Sequence, residues 1–118
     1  MREVLRDEER LKHIQSAVDQ LINSSTRYTI DQLKSEPITF FGFVKMVEII
    51  GEATYKLTKE YRGAHPEVPW AVMEKMRHVL VHDYYQISIE QLWSTIIEDI
   101  PTLKPLIDKL VNNFGKHK

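Results

Sequence analysis

Hydrophobic residues recur at intervals of three and four along most of the chain, which is the spacing of one face of an amphipathic α-helix. A first stretch, from about Asp7 to Asn23, carries the apolar stripe Leu11, Ile14, Val18, Leu21 and Ile22. The longest stretch, from about Ile38 to Tyr61, carries the stripe Phe40, Phe43, Val44, Val47, Ile50, Gly51, Thr54 and Leu57. The pattern therefore predicts two long helices. Gly51 within the second stripe predicts a close crossing by a neighbouring helix, because glycine is otherwise costly at such a position.

Shorter helices are predicted from capping signals and prolines. Thr29-Ile30-Asp31-Gln32 has the form of a capping box and opens a short helix that ends before Pro37. A fourth helix starts near Pro69 or Trp70 and ends around His82 to Tyr85. The residues predicted to face inward from it are Val72, Met73, Met76, Val79 and Leu80.

The C-terminal third predicts a fifth helix and its continuation. Ser88-Ile89-Glu90-Gln91 is a second capping box, and Pro101 is expected to kink or restart the helix that it opens. The predicted inward residues are Leu92, Trp93, Ile96, Ile97 and Ile100, followed by Leu103, Leu106, Ile107 and Leu110.

The segment with the clearest loop character is 62–69, which contains Gly63 and two prolines. It is too short to be an interdomain linker, and the polar segment 113–118 is expected to be a frayed tail. These signals predict one all-α domain over 1–118, an antiparallel bundle of four to five helices.

Composition narrows the class of protein. The 118 residues are 42% hydrophobic and 28% charged, and cysteine is absent, which excludes disulfides and Cys-based metal sites. The first ten residues are charged, so we expect no signal peptide, and no apolar run approaches the roughly 20 residues that span a bilayer. We therefore expect a cytoplasmic protein with no membrane partner. The net charge of −1 provides no overall basic excess, so any RNA binding requires a local positive potential.

Most catalytic motifs are missing from the sequence. It contains no phosphate-binding loop, no dinucleotide fingerprint and no His-Glu-x-x-His zinc signature. His78 and His82 are four residues apart on a predicted helix and could share a metal ion, but two ligands are too few for a stable site. We therefore expect neither a metal nor a cofactor.

The segment 77–85 concentrates functional side chains, namely Arg77, His78, His82, Asp83, Tyr84 and Tyr85. One interpretation is structural, since cationic side chains are favoured at the end of a helix. The other is catalytic. His82 could act as acid or base near neutral pH, and Arg77 could hold a phosphate with its planar fork. These are the groups that RNA cleavage without a metal requires.

Helix geometry constrains the catalytic interpretation. On an ideal α-helix Arg77 and His82 would point about 140° apart. The two side chains converge only if the helix tightens or unwinds near His82, or if two copies of the segment face each other across a dimer axis. We favour the dimer, which would bring two arginines and two histidines into one groove.

Arg77, four residues, His82, one residue and Tyr84 together resemble the Arg-x4-His-x-Tyr motif of the HepT-like proteins of the HEPN superfamily. Further landmarks in the same order are similar to that family: Ile49-Ile50-Gly51-Glu52-Ala53, Pro69-Trp70, Leu92-Trp93 and Asp99 to Lys104. The resemblance covers roughly Asp7 to Leu110. His78 departs from it, because family members often carry asparagine or another polar residue there.

The resemblance implies a metal-independent endoribonuclease that works as a homodimer and is the toxin of a toxin–antitoxin pair. Arg77 and His82 would be catalytic, with His78, Asp83 and Glu52 as possible auxiliary residues. The partner would be a nucleotidyltransferase antitoxin of the MNT type, which silences the toxin by attaching AMP to Tyr84. An alternative is a non-catalytic helical module that serves as the accessory subunit of a nucleotidyltransferase.

Overall fold

The computed structural model describes residues 2–78 and 88–116, and the side chains of 6–78 and 88–114. The helices are α1 (Arg2–Ser25), α2 (Ile30–Ser35), α3 (Pro37–Lys56), α4 (Lys59–Ala64), α5 (Trp70–Lys75), α6 (Ile89–Ser94) and α7 (Ile100–Lys116). A 3₁₀ turn, Met76–His78, follows α5, and a π-helical turn, Thr95–Asp99, joins α6 to α7. These ranges contain no β-strand, which confirms the all-α prediction.

The core lies where α1 packs against α3 on one side and α7 on the other. The predicted stripes supply most of it, and the side chains that are fully buried include Leu11, Ile14, Val44, Ile50, Ile96 and Ile107. Two residues that we predicted to face inward do not: Val72 is 55% exposed and Ile97 is 45% exposed. Val72 lies about 100° around α5 from the buried Met73. Ile97 lies in the π turn, where the wider spacing breaks the α-helical period.

The predicted caps are present. Gln32 N–H donates to the Thr29 hydroxyl at 3.2 Å and Thr29 N–H donates to the Gln32 side chain at 2.8 Å, which completes the first capping box. At the start of α6 the Ser88 hydroxyl accepts the Gln91 N–H at 3.1 Å. Both boundaries therefore lie where the sequence predicts them.

The third helix ends earlier than predicted, at Lys56 instead of Tyr61. Leu57 and Thr58 are extended, with ψ of 145° and 149°. The buried carboxylate of Asp7, on α1, accepts the Thr58 N–H at 2.9 Å and the Thr58 hydroxyl at 2.7 Å. The Thr58 hydroxyl also accepts the Tyr61 N–H and so caps α4, which makes residues 62–64 helical and not part of the predicted loop. The Asp7 side chain on α1 thus accepts the Thr58 N–H in place of the main-chain carbonyl that a continuing α-helix would supply four residues earlier.

The C-terminal helix also differs from expectation. The Ile100 N–H donates to the Thr95 carbonyl five residues earlier, so the chain widens just before Pro101, whose ring would crowd a regular α-helix. The chain then continues as α7 to Lys116, so residues 113–116 are helical in the structure, and the fraying predicted for 113–118 stays a prediction. The Phe114 ring stacks on Tyr61 at 5.4 Å, so the last part of α7 packs against α4. Residues 117 and 118 lie outside the described ranges.

Candidate active site

The described part of the candidate site is the turn Met76–His78 and the face of α3 beneath it. We predicted an α-helix up to His82–Tyr85, but the α-helix ends at Lys75 and tightens into the 3₁₀ turn. Arg77 therefore does not have the ideal α-helical orientation that the predicted angle of about 140° assumed. Val79, Leu80, His82, Asp83, Tyr84 and Tyr85 lie outside the described residues, so their placement beside Arg77 stays a prediction.

Gly51 holds the main chain of Arg77 directly against α3. A Cβ atom added at Gly51 would lie 2.0 Å from the Arg77 nitrogen, 2.6 Å from the Met76 carbonyl carbon and 2.7 Å from the Arg77 Cα. No side chain fits into this space, since such distances are far inside van der Waals contact. The predicted close crossing at Gly51 is confirmed. Gly51 lies directly under the main chain of Arg77 and is therefore part of the candidate site.

The side chain of Arg77 packs over the aromatic ring of Tyr55. The guanidinium carbon lies 3.5 Å from the centroid of the Tyr55 ring, a cation–π contact. Tyr55 is 44% exposed and Arg77 is partly buried, so the pair lies at the surface of the bundle. Sequence reasoning missed Tyr55. The available signal was its position four residues after Gly51, which places it on the same face of α3.

His78 forms a hydrogen bond with the Nε atom of the same guanidinium. The Arg77 Nε–H donates to the His78 Nε2 at 3.3 Å. The side chain at the position that departs from the family pattern thus lies against the predicted catalytic arginine.

Glu52 is exposed. It lines a groove of about 420 Å³ between α1 and α3, together with Glu9, Arg10, His13, Lys45, Glu48, Ile49, Ala53 and Lys56. Over the described ranges, Glu52 forms neither a hydrogen bond nor an ion pair with Arg77. The side chains that contact Arg77 are those of Tyr55 and His78, and an auxiliary role for Glu52 stays a prediction.

The arrangement can bind an anion. In the described part of the chain, the hydrogen bond to His78 uses only Nε of Arg77, and the two terminal nitrogens make no side-chain hydrogen bond. These nitrogens form the edge of the guanidinium that matches two phosphate oxygens. No group of three or more potential metal ligands occurs among the described residues. No helix there is long and apolar enough to cross a bilayer.

Comparison with known proteins identifies the class to which this fold and site belong. The family described as "Ribonuclease HepT-like" matches residues 9–110, which is most of the chain. The chain therefore belongs to the HepT-like ribonuclease family. The match extends from α1 to α7 and includes residues 79–87, which lie outside the described ranges.

Individual relatives agree. The chain is 33% identical over 100 residues to a protein named "Probable ribonuclease HepT" from Thermococcus cleftensis, covering 85% of this chain and 91% of the relative. It is also 33% identical over 101 residues to a protein named "Putative RNase" from Caldanaerobacter subterraneus subsp. tengcongensis, covering 86% and 90%. No solved structure matches the chain significantly.

Proposed function

We propose that this protein is a metal-independent endoribonuclease in which Arg77 clamps a backbone phosphate and His82 acts as acid or base. The observation that carries the proposal is the orientation of Arg77 in a chain of the HepT-like ribonuclease family. Its guanidinium is held at the surface by Tyr55 and His78, and among the described residues its two terminal nitrogens make no side-chain hydrogen bond that would compete with a phosphate. An arginine in this state can stabilise the negative charge that builds up on phosphorus during cleavage.

The chemistry needs a proton transfer beside that charge. Attack by a ribose 2′-oxygen on phosphorus releases the proton of the 2′-hydroxyl, and departure of the 5′-oxygen consumes one. An imidazole can accept the first proton or donate the second, because its ordinary pKa lies near neutrality. We assign this task to His82. We further propose that the protein acts as a homodimer, in which two copies of 77–84 complete one groove and supply the positive potential that the net charge of −1 does not.

We also propose that the protein is the toxin of a cytoplasmic toxin–antitoxin pair. Its partner would be a nucleotidyltransferase of the MNT type that transfers AMP to the hydroxyl of Tyr84. The modification would place bulk and a negatively charged phosphate two residues from His82, where it would compete with RNA for Arg77. Asp83, which lies between the two, is a possible auxiliary residue.

The activity is tested by incubating the purified protein with RNA in EDTA. We expect internal cleavage by the wild type and loss of cleavage in the His82→Ala and Arg77→Gln variants, with unchanged circular dichroism. Because the proposed chemistry uses only side chains, the chelator should have no effect. If the wild type does not cleave RNA with or without divalent metal, or if the folded variants remain as active as the wild type, the ribonuclease assignment is wrong.

The regulation is tested by co-expressing the chain with an MNT-type nucleotidyltransferase and measuring the intact mass. We expect a mass gain of one or more AMP units, loss of RNA cleavage and relief of growth arrest. Tyr84→Phe should abolish the gain, while the neighbouring Tyr85→Phe serves as the matched control and should retain it. A gain that survives in Tyr84→Phe would move the modification to another residue. An unmodified protein that is silenced all the same would favour inhibition by simple docking.

A further inference from the structure

We infer that Tyr55 is the residue that positions Arg77 for its role in RNA cleavage, an inference that rests on the proposed function. The ring lies on α3, outside the segment 77–84 that carries the predicted motif. The guanidinium carbon lies 3.5 Å from the ring centroid, well inside the distance of about 6 Å that defines a cation–π contact. Tyr55 would therefore determine the direction in which the phosphate-binding edge of Arg77 points.

Two contacts fix a planar guanidinium more completely than one. The Tyr55 ring covers one face of the group and so defines the plane in which it lies. The hydrogen bond from Nε to His78, at 3.3 Å, limits rotation within that plane. Together the two contacts restrain the guanidinium and leave its edge with the two terminal nitrogens for a phosphate to bind.

The backbone contact at Gly51 adds the third constraint. Gly51 fixes where the Arg77 Cα lies, and Tyr55, one turn further along the same helix, fixes where the side chain goes. An arginine side chain has many rotamers, and holding it in one before substrate binds lowers the cost of forming the transition-state contact. The same helix therefore places both the main chain and the charged group of Arg77.

The ring, and not the hydroxyl, is the part of Tyr55 that matters. Within the described ranges the Tyr55 hydroxyl makes no hydrogen bond, and the side chain is 44% exposed. Phenylalanine would keep the π face, whereas leucine would keep apolar bulk without it. The two substitutions therefore separate the positioning contact from simple packing.

The experiment measures kcat and KM for cleavage of a short RNA by wild type, Tyr55→Leu and Tyr55→Phe. We expect Tyr55→Leu to lower kcat by about three- to thirtyfold, with a smaller change in KM, because Arg77 acts mainly on the transition state. Tyr55→Phe should restore most of the loss. The matched control is Tyr28→Leu, which alters a tyrosine that is 37% exposed and packs edge-on against Phe43, away from Arg77.

A double substitution shows whether Tyr55 acts through Arg77. In an Arg77→Gln background, adding Tyr55→Leu should cause no further loss of cleavage or of affinity for a 2′-O-methyl RNA that cannot be cut. A further loss of the full size would mean that Tyr55 contacts RNA on its own, for example by stacking on a base, and would overturn the positioning role. An unchanged kcat in Tyr55→Leu alone would overturn it as well.

A spectroscopic measurement separates this inference from the proposed function. The Arg77 Nε–H signal in a ¹H–¹⁵N spectrum, assigned by its loss in Arg77→Lys, should be displaced by the ring current of Tyr55. The displacement should vanish in Tyr55→Leu and persist in Tyr28→Leu. A signal that does not respond to Tyr55→Leu overturns the contact. If the signal responds but the wild type does not cleave RNA, the proposed function fails and the catalytic role of Tyr55 fails with it.

Discussion

Replacing Gly51 by alanine is expected to lower the free energy of unfolding by about 2 kcal/mol and to remove RNA cleavage, although alanine is the better helix former. The added Cβ would lie 2.0 Å from the Arg77 nitrogen, which is part of the main chain and cannot rotate away. Relief requires α3 and the 3₁₀ turn to move apart. That movement would carry Arg77 away from Tyr55 and shift the candidate site.

Gly42 on the same helix provides the matched control. A Cβ added there meets nothing within 4 Å, so Gly42→Ala should stabilise the protein by up to about 1 kcal/mol through helix propensity alone. Chemical denaturation of both variants measures the difference, with RNA cleavage assayed in parallel. If Gly51→Ala proved as stable as Gly42→Ala, the close approach of α3 to the Arg77 main chain would be disproved.

Replacing Arg77 by glutamine is expected to lower kcat for RNA cleavage by about 10²- to 10³-fold, the range seen when one preorganised group that stabilises the transition state is lost. Glutamine keeps length and polarity but removes the charge and the guanidinium plane. Arg77→Lys should recover only a small part of the loss, because an ammonium group carries the charge without the two-pronged edge. The fold should survive both changes, since Gly51 contacts the main chain of residue 77 and not its side chain.

Arg27→Gln controls for the loss of a positive charge, because Arg27 is exposed and lies between α1 and α2, outside the candidate site. It should leave kcat unchanged and affect RNA affinity only slightly. The measurement is single-turnover cleavage, which isolates the chemical step from product release. Should Arg77→Lys match the wild type, Arg77 would contribute charge alone, and the ordered guanidinium plane would have no part in catalysis.

The residues that sequence reasoning placed well are those whose environment is decided locally. The stripe of α1 and the capping box at Thr29 depend on neighbours three or four residues away, and both were confirmed. The crossing at Gly51 was predictable too, because a glycine on the apolar stripe of a long helix needs a packing reason. The all-α class followed from the same periodicity.

The residues that were missed depend on partners distant in the sequence. Thr58 breaks the third helix because its hydrogen bonds go to Asp7, 51 positions earlier, and no local signal marks that pairing. In the sequence Tyr55 has the pattern of an ordinary exposed residue. Its contact with Arg77 is visible only in the structure, where the 3₁₀ turn places the guanidinium over its ring. Phe114, near the end of the C-terminal helix, stacks on Tyr61, which is distant in the sequence. Each of these contacts appears only once the helices are packed.

The main-chain contact between Gly51 and Arg77 also bears on how this fold can change over time. A contact made only by backbone atoms does not depend on which amino acid occupies position 77. The bundle therefore offers a fixed attachment point at which one functional group can be exchanged for another while the scaffold is preserved. By the same reasoning Gly51 is the less replaceable of the two. A lineage could lose the arginine and keep the architecture, whereas loss of the glycine would displace whatever group had succeeded it.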